Sequence, residues 1–224
     1  MQTHSEENYL KTIFKLSKLG NHKISVKAIA DSLGNNPASV IDMLKKLTDK
    51  KLINYEKTGG AQLTKEGSNF ALQIVRKHRL WEVFLKEKLE YSWAEVHEIA
   101  EQLEHIKHNE LADRLDKILG FPEYDPHGDP IPGKDGSVTA YSRTPLTEVD
   151  AGQTTRVARV SDDDPALLRY LGELGMVPGA EVTVTSRAPF SGPMHIRVGG
   201  ADETSHALGR EVTDQVFVDE KTAA

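Results

Sequence analysis

The residues with the clearest chemical potential lie in one short segment, HEIAEQLEH at positions 97–105. On a helix that turns about 100° per residue, two imidazoles and two carboxylates of this segment fall within an arc of roughly 100°. Apolar residues occupy the opposite face, and the four polar side chains are those of His97, Glu101, Glu104 and His105. Nitrogen and oxygen donors gathered on one face suit a divalent transition-metal ion.

A second pair of potential ligands, His78 and Glu82, lies four residues apart on the preceding predicted helix. Packing the two helices together would gather three histidines and three glutamates, a set that suits Mn(II), Fe(II), Co(II) or Zn(II). Taken one at a time, such residues are more often solvated than ligating. The six together favour a metal site, and we predict one here.

The composition limits the chemistry of such a site. The chain has 224 residues and no cysteine, which excludes disulfides, iron–sulfur clusters and thiolate ligands. No run approaches the roughly 18 to 20 apolar residues that span a membrane, and the first residues do not form a signal peptide. No HExxH motif or Ser/His/Asp arrangement is evident, so we expect a cytoplasmic protein that is not an enzyme.

Charge is distributed unevenly along the chain. Residues 1–78 contain 13 Lys and Arg against 7 Asp and Glu, whereas residues 79–140 contain 7 against 14. The net charge of the whole chain is −6, but a DNA-binding face needs only local positive potential. The basic first segment therefore favours contact with nucleic acid.

This basic segment is predicted to fold as a winged helix-turn-helix. Ser25 and Asn36 suit the caps of two helices, Pro37 suits the first turn of the second, and Gly34 ends the first. Helices are predicted at residues 5–19, 25–33 and 37–50, and the strands of a hairpin at residues 52–55 and 61–63.

In a winged helix, the start of the recognition helix faces the base edges, while lysines and the wing hold phosphates. We predict that double-stranded DNA is contacted by Asn36, Pro37, Ala38, Ser39, Asp42, Lys45 and Lys46 on the third helix and by Lys57 on the wing. The alternative is a winged helix used only for protein contact, which the local positive charge disfavours.

The rest of the chain is predicted to contain a helical segment, a linker and a small β-barrel. Helices are expected at residues 65–89, 92–107 and 109–120, and a linker without regular structure at 121–150. Strands are expected at 156–160, 181–186, 195–198 and 215–218, with a helix at 165–174. The first of these helices has more apolar residues than a small core needs, which predicts a dimer interface at Leu80, Trp81, Phe84, Leu85 and Leu89.

The predicted winged helix and the segments RKHRLWE, EVHEIAEQLEH and DPHGDPIPG together resemble the diphtheria-toxin-repressor family of metal-dependent regulators, which includes manganese transport regulators. The resemblance covers essentially the whole chain. It implies a mainly α protein with a small β part in three domains. These are a winged helix-turn-helix at 1–73, a helical metal-binding and dimerisation domain at 74–140, and an SH3-like domain at 148–224 similar to ferrous-iron transport accessory proteins.

The resemblance also implies two metal sites. The primary site falls on Asn8, Glu101, Glu104 and His105. The ancillary site falls on His78, Glu82 and His97, with one further ligand from the third domain, either Asp164 or its neighbours Asp162 and Asp163. Glu101 stands where iron-responsive members usually have Cys, and a carboxylate favours a harder ion, so Mn(II) is expected and Fe(II) is the alternative.

Two other positions carry expectations. Lys11 stands where two-domain manganese regulators use a carboxylate, and it is expected to pair with Glu104 or Glu7. His127 has no partner pattern in the sequence and is expected to be structural or exposed.

The function expected from all this is that of a homodimeric repressor that binds an inverted-repeat operator when Mn(II) or Fe(II) is abundant and controls metal-uptake genes. Two alternatives stay open: a metal-independent winged-helix regulator with a solvated His/Glu face, and a metal-handling or hydrolytic protein. Chelation separates them, because the first alternative predicts DNA binding that EDTA does not change.

Overall fold

The computed structural model describes residues 2–17, 23–108, 110–142, 144–199 and 205–219. The chain divides into two compact units. The first comprises Met1–His78, Gln102–Asp113 and Pro132–Ser137, and the second comprises Arg79–Glu101, Arg114–Ile131 and Val138–Ala224. Among the described residues, no helix is both long and apolar enough to cross a membrane.

The first unit contains the predicted winged helix-turn-helix. Its elements are α1 (His4–Ser17), α2 (Val26–Leu33), α3 (Pro37–Asp49), β1 (Ile53–Glu56) and β2 (Gly60–Leu63). The predicted caps are confirmed, because Ser25 and Asn36 each accept a backbone N–H of the helix they begin, and Gly34 ends α2 at φ 63°. The predicted end of the first helix, Leu19, lies outside the described residues.

The hairpin of the wing is held to the helices by backbone pairing. β1 and β2 are antiparallel, and Ala61 also forms a bridge with Ile24, just before α2. Below them lies a core of fully buried side chains, among them Leu10, Ile13, Ile29, Leu44 and Leu47. The apolar spacing of α1, α2 and α3 therefore places the start of α3 at the surface.

One long helix, α4 (Lys65–Leu89), and two short ones, α5 (Val96–Leu103) and α6 (Leu111–Ile118), follow the wing. The helix predicted at 92–107 is shorter than expected at both ends. Ser92 donates both its backbone N–H and its hydroxyl to Glu95 Oε2 in a turn before α5. Gly120, at φ 77°, closes the end of α6 as predicted, whereas the predicted start at Asn109 lies outside the described residues.

The last part of the second unit is a six-stranded antiparallel sheet with the order β3-β8-β4-β5-β6-β7. The strands are β3 (Thr144–Pro145), β4 (Thr154–Val160), β5 (Glu181–Arg187), β6 (Met194–Val198), β7 (Ser205–Leu208) and β8 (Val216–Val218), with α7 (Pro165–Glu173) and α8 (Arg210–Thr213) between them. The predicted mainly α fold with a small SH3-like barrel is confirmed.

One prediction about the linker was wrong. Residues 144–148, expected to lack regular structure, form β3 and a short 3-10 helix, Leu146–Glu148. Thr144 and Pro145 pair with β8, and Leu146 is fully buried in the core of the barrel. The prolines around Leu146 predicted an irregular linker, and the sequence alone did not show that Leu146 is buried.

A buried ion pair holds α1 against α3 in the first unit. Glu6 is fully buried, and its Oε1 lies 3.1 Å from Lys46 Nζ and 2.8 Å from Lys50 Nζ. Burial raises the pKa of Glu6, but hydrogen bonds from Lys50, the Thr3 backbone N–H and Lys46 outweigh it and lower the pKa to about 2. The ionised carboxylate is therefore favoured in the folded protein.

We expect the substitution Glu6→Gln to lower the free energy of unfolding by about 1–2 kcal/mol at pH 7. The folded pKa lies below the ordinary value of 4.5, so the stabilisation is present above pH 4.5 and is lost as the pH falls towards 2. Denaturant unfolding at several pH values should show the two proteins converging over that range. As a control, Glu56→Gln, at an exposed pair with Lys23, should change stability little at any pH. If the difference in free energy of unfolding between Glu6→Gln and the wild type were the same at pH 7 and pH 2.5, the assignment would be wrong.

Candidate metal centres and DNA-binding surface

The first cluster of potential ligands lies in the first unit and surrounds Glu104, which directly follows the end of α5. We call it the Glu104 group. Lys11 donates to both carboxylate oxygens of Glu104 at 2.7 and 2.8 Å, so the expected Lys11 pairing is confirmed. His78 Nδ1 lies 2.6 Å from Glu104 Oε2. Burial raises the pKa of Glu104, but the hydrogen bond to His78 and the charge of Lys11 outweigh it, so the pKa lies below its ordinary value.

The other side of the Glu104 group is formed by α1 and His105. His105 Nδ1 lies 2.6 Å from Glu7 Oε2, and its Nε2 lies 3.8 Å from Glu104 Oε1. Asn8 Oδ1 is buried and has no hydrogen-bond partner among the described residues. Asn8 follows Glu7 on α1, and a buried amide oxygen without a hydrogen-bond partner is an atom that a metal ion could satisfy.

The second cluster lies wholly in the second unit, and we call it the Glu82 group. It combines donors from α4, α5, the loop after α6 and the end of β4: Glu82, His97, Asp125, His127 and Asp162. His97 Nδ1 lies 3.3 Å from Glu82 Oε1 and 3.2 Å from Asp162 Oδ2. Glu82, Asp125 and His127 also offer ligand atoms that all lie within 4.8 Å of one another. Glu101 lies at its edge, 3.6 Å from His97 Nε2.

The orientation of His127 is the clearest sign of a metal site in this group. Its side chain is fully buried, and Nε2 lies 2.7 Å from the carbonyl oxygen of Trp93, to which it can only donate. Nε2 therefore carries a proton, and Nδ1 lies 3.8 Å from Glu82 Oε1 with no hydrogen-bond partner among the described residues. Metal-ligating histidines typically donate their other ring nitrogen to a carbonyl in this way.

Asp125 shows the electrostatic consequence of this clustering. Burial, together with repulsion from Glu82 and Asp129, raises the pKa of Asp125 well above its ordinary value, and Arg79 opposes the rise. A divalent cation would reverse this balance, because it favours the ionised carboxylate. The donor set of the Glu82 group, three carboxylates and two imidazoles, therefore fits a hard or borderline divalent ion.

The Glu82 group contains two residues to which the sequence analysis gave no ligand role. Asp125 and His127 were not among the predicted ligands, yet both lie in the Glu82 group. Their signal in the sequence was the pair of donors two residues apart in DPHGD, with a glycine to permit a tight turn. Asp164 instead caps α7, since its Oδ1 accepts the N–H groups of Ala166 and Leu167. Its neighbour Asp162, one of the alternatives, lies 3.2 Å from His97 Nδ1.

The loop that carries Asp125 and His127 packs directly on β4. The N–H of Val160 donates to the carbonyl of His127 at 2.9 Å. Gly128 has φ +89°, and a Cβ at this position would lie 2.1 Å from the carbonyl oxygen of Ala158. A glycine is required here by both the backbone conformation and the close approach.

The predicted DNA-contacting residues form an exposed surface on the first unit. Asn36, Pro37, Ala38, Ser39, Asp42, Lys45, Lys46 and Lys57 are all exposed, the last of them at the tip of the wing. Lys45 Nζ lies 3.1 Å from Asp42 Oδ1, so this cation is partly balanced on its own helix. Lys46 is half-exposed and is shared with Glu6.

Comparison with known families assigns each of these regions. Residues 1–61 match the iron dependent repressor N-terminal DNA binding domain, residues 64–133 its metal binding and dimerisation domain, and residues 144–220 the FeoA domain. The chain is 30% identical over 219 residues to the iron-dependent repressor IdeR of Mycobacterium leprae, covering 90% of this chain and 94% of that protein. The chain belongs to the iron-dependent repressor family. Members of this family are metal-dependent transcriptional repressors, as the sequence resemblance implied.

Solved structures of this family show the same fold. A manganese-dependent transcriptional repressor in complex with manganese has 37% identity and a TM-score of 0.88, covering 95% of this chain and 98% of that one. ScaR with bound Zn²⁺ has 33% identity and a TM-score of 0.81, covering 96% and 99%. A diphtheria toxin repressor from Corynebacterium jeikeium is 29% identical over 163 residues, 71% of this chain and 68% of that protein.

The close approach of Gly128 to β4 predicts that a larger residue at this position lowers the melting temperature. The variant Gly128→Ala should lower the melting temperature of the metal-free protein by about 5 °C, because the added methyl overlaps the backbone of β4 and strains a positive φ. The matched control is Gly209→Ala, where the new methyl meets nothing within 4 Å. Differential scanning calorimetry should separate the two, and equal melting temperatures would show that the loop does not pack on β4 as described.

Proposed function

We propose that this protein is a Mn(II)-responsive, homodimeric repressor that binds an inverted-repeat operator and controls metal-uptake genes. The observation that carries the metal part is His127, whose buried Nδ1 faces Glu82 while Nε2 donates to a backbone carbonyl. The DNA part is supported by the exposed start of α3 and by the basic first segment.

The choice of Mn(II) over Fe(II) is supported by the donor types. The Glu82 group offers three carboxylates and two imidazoles, the Glu104 group offers carboxylates, an amide and two imidazoles, and the chain has no cysteine. Oxygen-rich sets without a thiolate favour harder ions. Two metal-binding sites per chain are part of this proposal.

The Glu104 group would connect metal binding to the DNA-binding surface through α1. A bound ion supplies a positive charge that Asn8 Oδ1, Glu104 and His105 can share. Asn8 and Glu7 lie on α1, next to Glu6, and Glu6 is paired with Lys46 of α3 and with Lys50, which directly follows α3. Fixing the first turn of α1 therefore also fixes the position of α3. A coupling of about 1–3 kcal/mol per site is enough for a usable switch.

The dimer interface would use apolar residues that the chain leaves exposed in the second unit. Leu80 and Leu85, which the sequence suggested for this role, are buried within the chain. The exposed large apolar side chains of this unit include Leu89, Tyr91, Ile118, Phe121 and Tyr124. A second copy of the chain is the natural partner because a symmetric operator requires two recognition helices about one DNA turn apart.

The first experiment selects DNA with the metal-free protein from a random duplex pool, in parallel with Mn(II), with anaerobic Fe(II) and with EDTA. Enrichment of one inverted repeat only with metal is expected, at a lower free concentration of Mn(II) than of Fe(II). Equal enrichment in EDTA would overturn the metal switch and leave a metal-independent winged-helix regulator.

A second experiment tests the two ligand groups separately. His127→Ala and His105→Ala should each lower Mn(II)-dependent operator affinity by tenfold or more, because each removes one direct ligand. The matched controls are His195→Ala for His127, and His108→Ala for His105, since His108 is exposed three residues further along the chain. Fluorescence anisotropy with a labelled operator gives the affinities, and wild-type behaviour of both ligand variants would contradict the assignment.

A further inference from the structure

A clamp centred on Arg79 holds the loop that supplies two ligands of the Glu82 group. Arg79 lies on α4, and its Nε is 3.2 Å from Asp125 Oδ2. Its Nη2 is 3.3 Å from Asp129 Oδ1, and its Nη1 donates to the carbonyl of Pro130 at 2.5 Å. All three arms of one guanidinium thus contact a single segment of six residues.

The clamp fixes which oxygen of Asp125 faces which partner. Asp125 Oδ1 accepts the backbone N–H groups of His127 and Asp129 at 2.8 and 3.0 Å, while Oδ2 is held by Arg79. The carboxylate cannot rotate without losing one of these contacts. Since the N–H of His127 is bonded to the same carboxylate, the position of His127 depends on the orientation of Asp125.

The far end of the clamp is anchored on the sheet. Arg159 of β4 lies with its guanidinium 3.6 Å from the centre of the Phe217 ring, and its Nη1 is 3.9 Å from Asp129 Oδ1. The same Asp129 oxygen therefore faces both Arg79 and Arg159. Asp162 follows β4 by two residues, so the strand that anchors the clamp also leads to another ligand.

We propose that Arg79 is a positioning residue that sets the metal affinity of the Glu82 group by orienting Asp125 and His127 through its contacts with Asp125, Asp129 and Pro130. This inference rests on the proposed metal-binding role of the group. The direction in which metal affinity changes when Arg79 is replaced distinguishes a positioning role from a purely electrostatic one. A cation beside a metal site repels the ion, so removing its charge alone would strengthen binding. Loss of positioning weakens it.

The experiment uses the full-length chain carrying His105→Ala, so that Mn(II) binding reports on the Glu82 group. Binding is measured by the loss of the free Mn(II) signal in electron paramagnetic resonance, and the bound spectrum is recorded at saturation. Arg79→Gln should weaken binding by about tenfold or more and change the bound spectrum. Arg79→Lys restores the charge but not the planar fork, and should recover only part of the affinity.

The matched control is Arg169→Gln, which removes one positive charge from an exposed position on α7 and should leave affinity within twofold. Unchanged or tighter binding in Arg79→Gln, with an unchanged spectrum, would overturn the inference alone. A parent protein that binds no Mn(II) would overturn it together with the assignment of the Glu82 group. If Arg79→Gln does not fold, Asp129→Asn, which releases one arm of the clamp, should still weaken binding several-fold, and no change there would reject the proposal.

Discussion

The structure depends on a balance of buried charge around two carboxylates. Burying an ionised carboxylate is costly unless a cation or several hydrogen bonds accompany it. Glu104 has Lys11 on both oxygens, and Asp125 has Arg79 on one oxygen and two backbone N–H groups on the other. Each ligand group thus contains one internal cation. Lys11 helps to hold the pKa of Glu104 below its ordinary value, whereas Arg79 only opposes the rise in the pKa of Asp125, which a metal ion would reverse.

Backbone geometry then decides which donors join each carboxylate. The loop at 125–129 turns through Gly128 against β4, and the Trp93 carbonyl fixes the ring of His127. A helix alone brings together donors at i and i+4, as with His97 and Glu101. The Glu82 group adds donors from a loop and from the segment after β4. The loop donors lie close to Glu82 only because the loop packs on the sheet.

This difference explains what the sequence predicted and what it did not. Helix caps such as Ser25 and Asn36 are local patterns and were predicted correctly, whereas the helix expected to continue past His105 ends at Leu103. The sequence analysis did not group Asp125 and His127 with Glu82, because their proximity depends on contacts with α4 and β4 that no local pattern encodes. Asp164 and Asp162 could not be distinguished for the same reason, since a carboxylate before a helix suits a cap and a ligand equally well.

The free-energy cost of a buried polar atom without a hydrogen-bond partner offers a physical basis for metal-dependent DNA binding. Asn8 Oδ1 is buried without a hydrogen-bond partner among the described residues, and such a group costs about 1–3 kcal/mol. An ion bound at this oxygen would remove that cost in the bound state only. The energy recovered is of the size that a metal-to-DNA coupling requires. Because Glu6, two residues before Asn8, is paired with Lys46 and Lys50, this energy acts on the first turn of α1 where it is joined to the recognition helix.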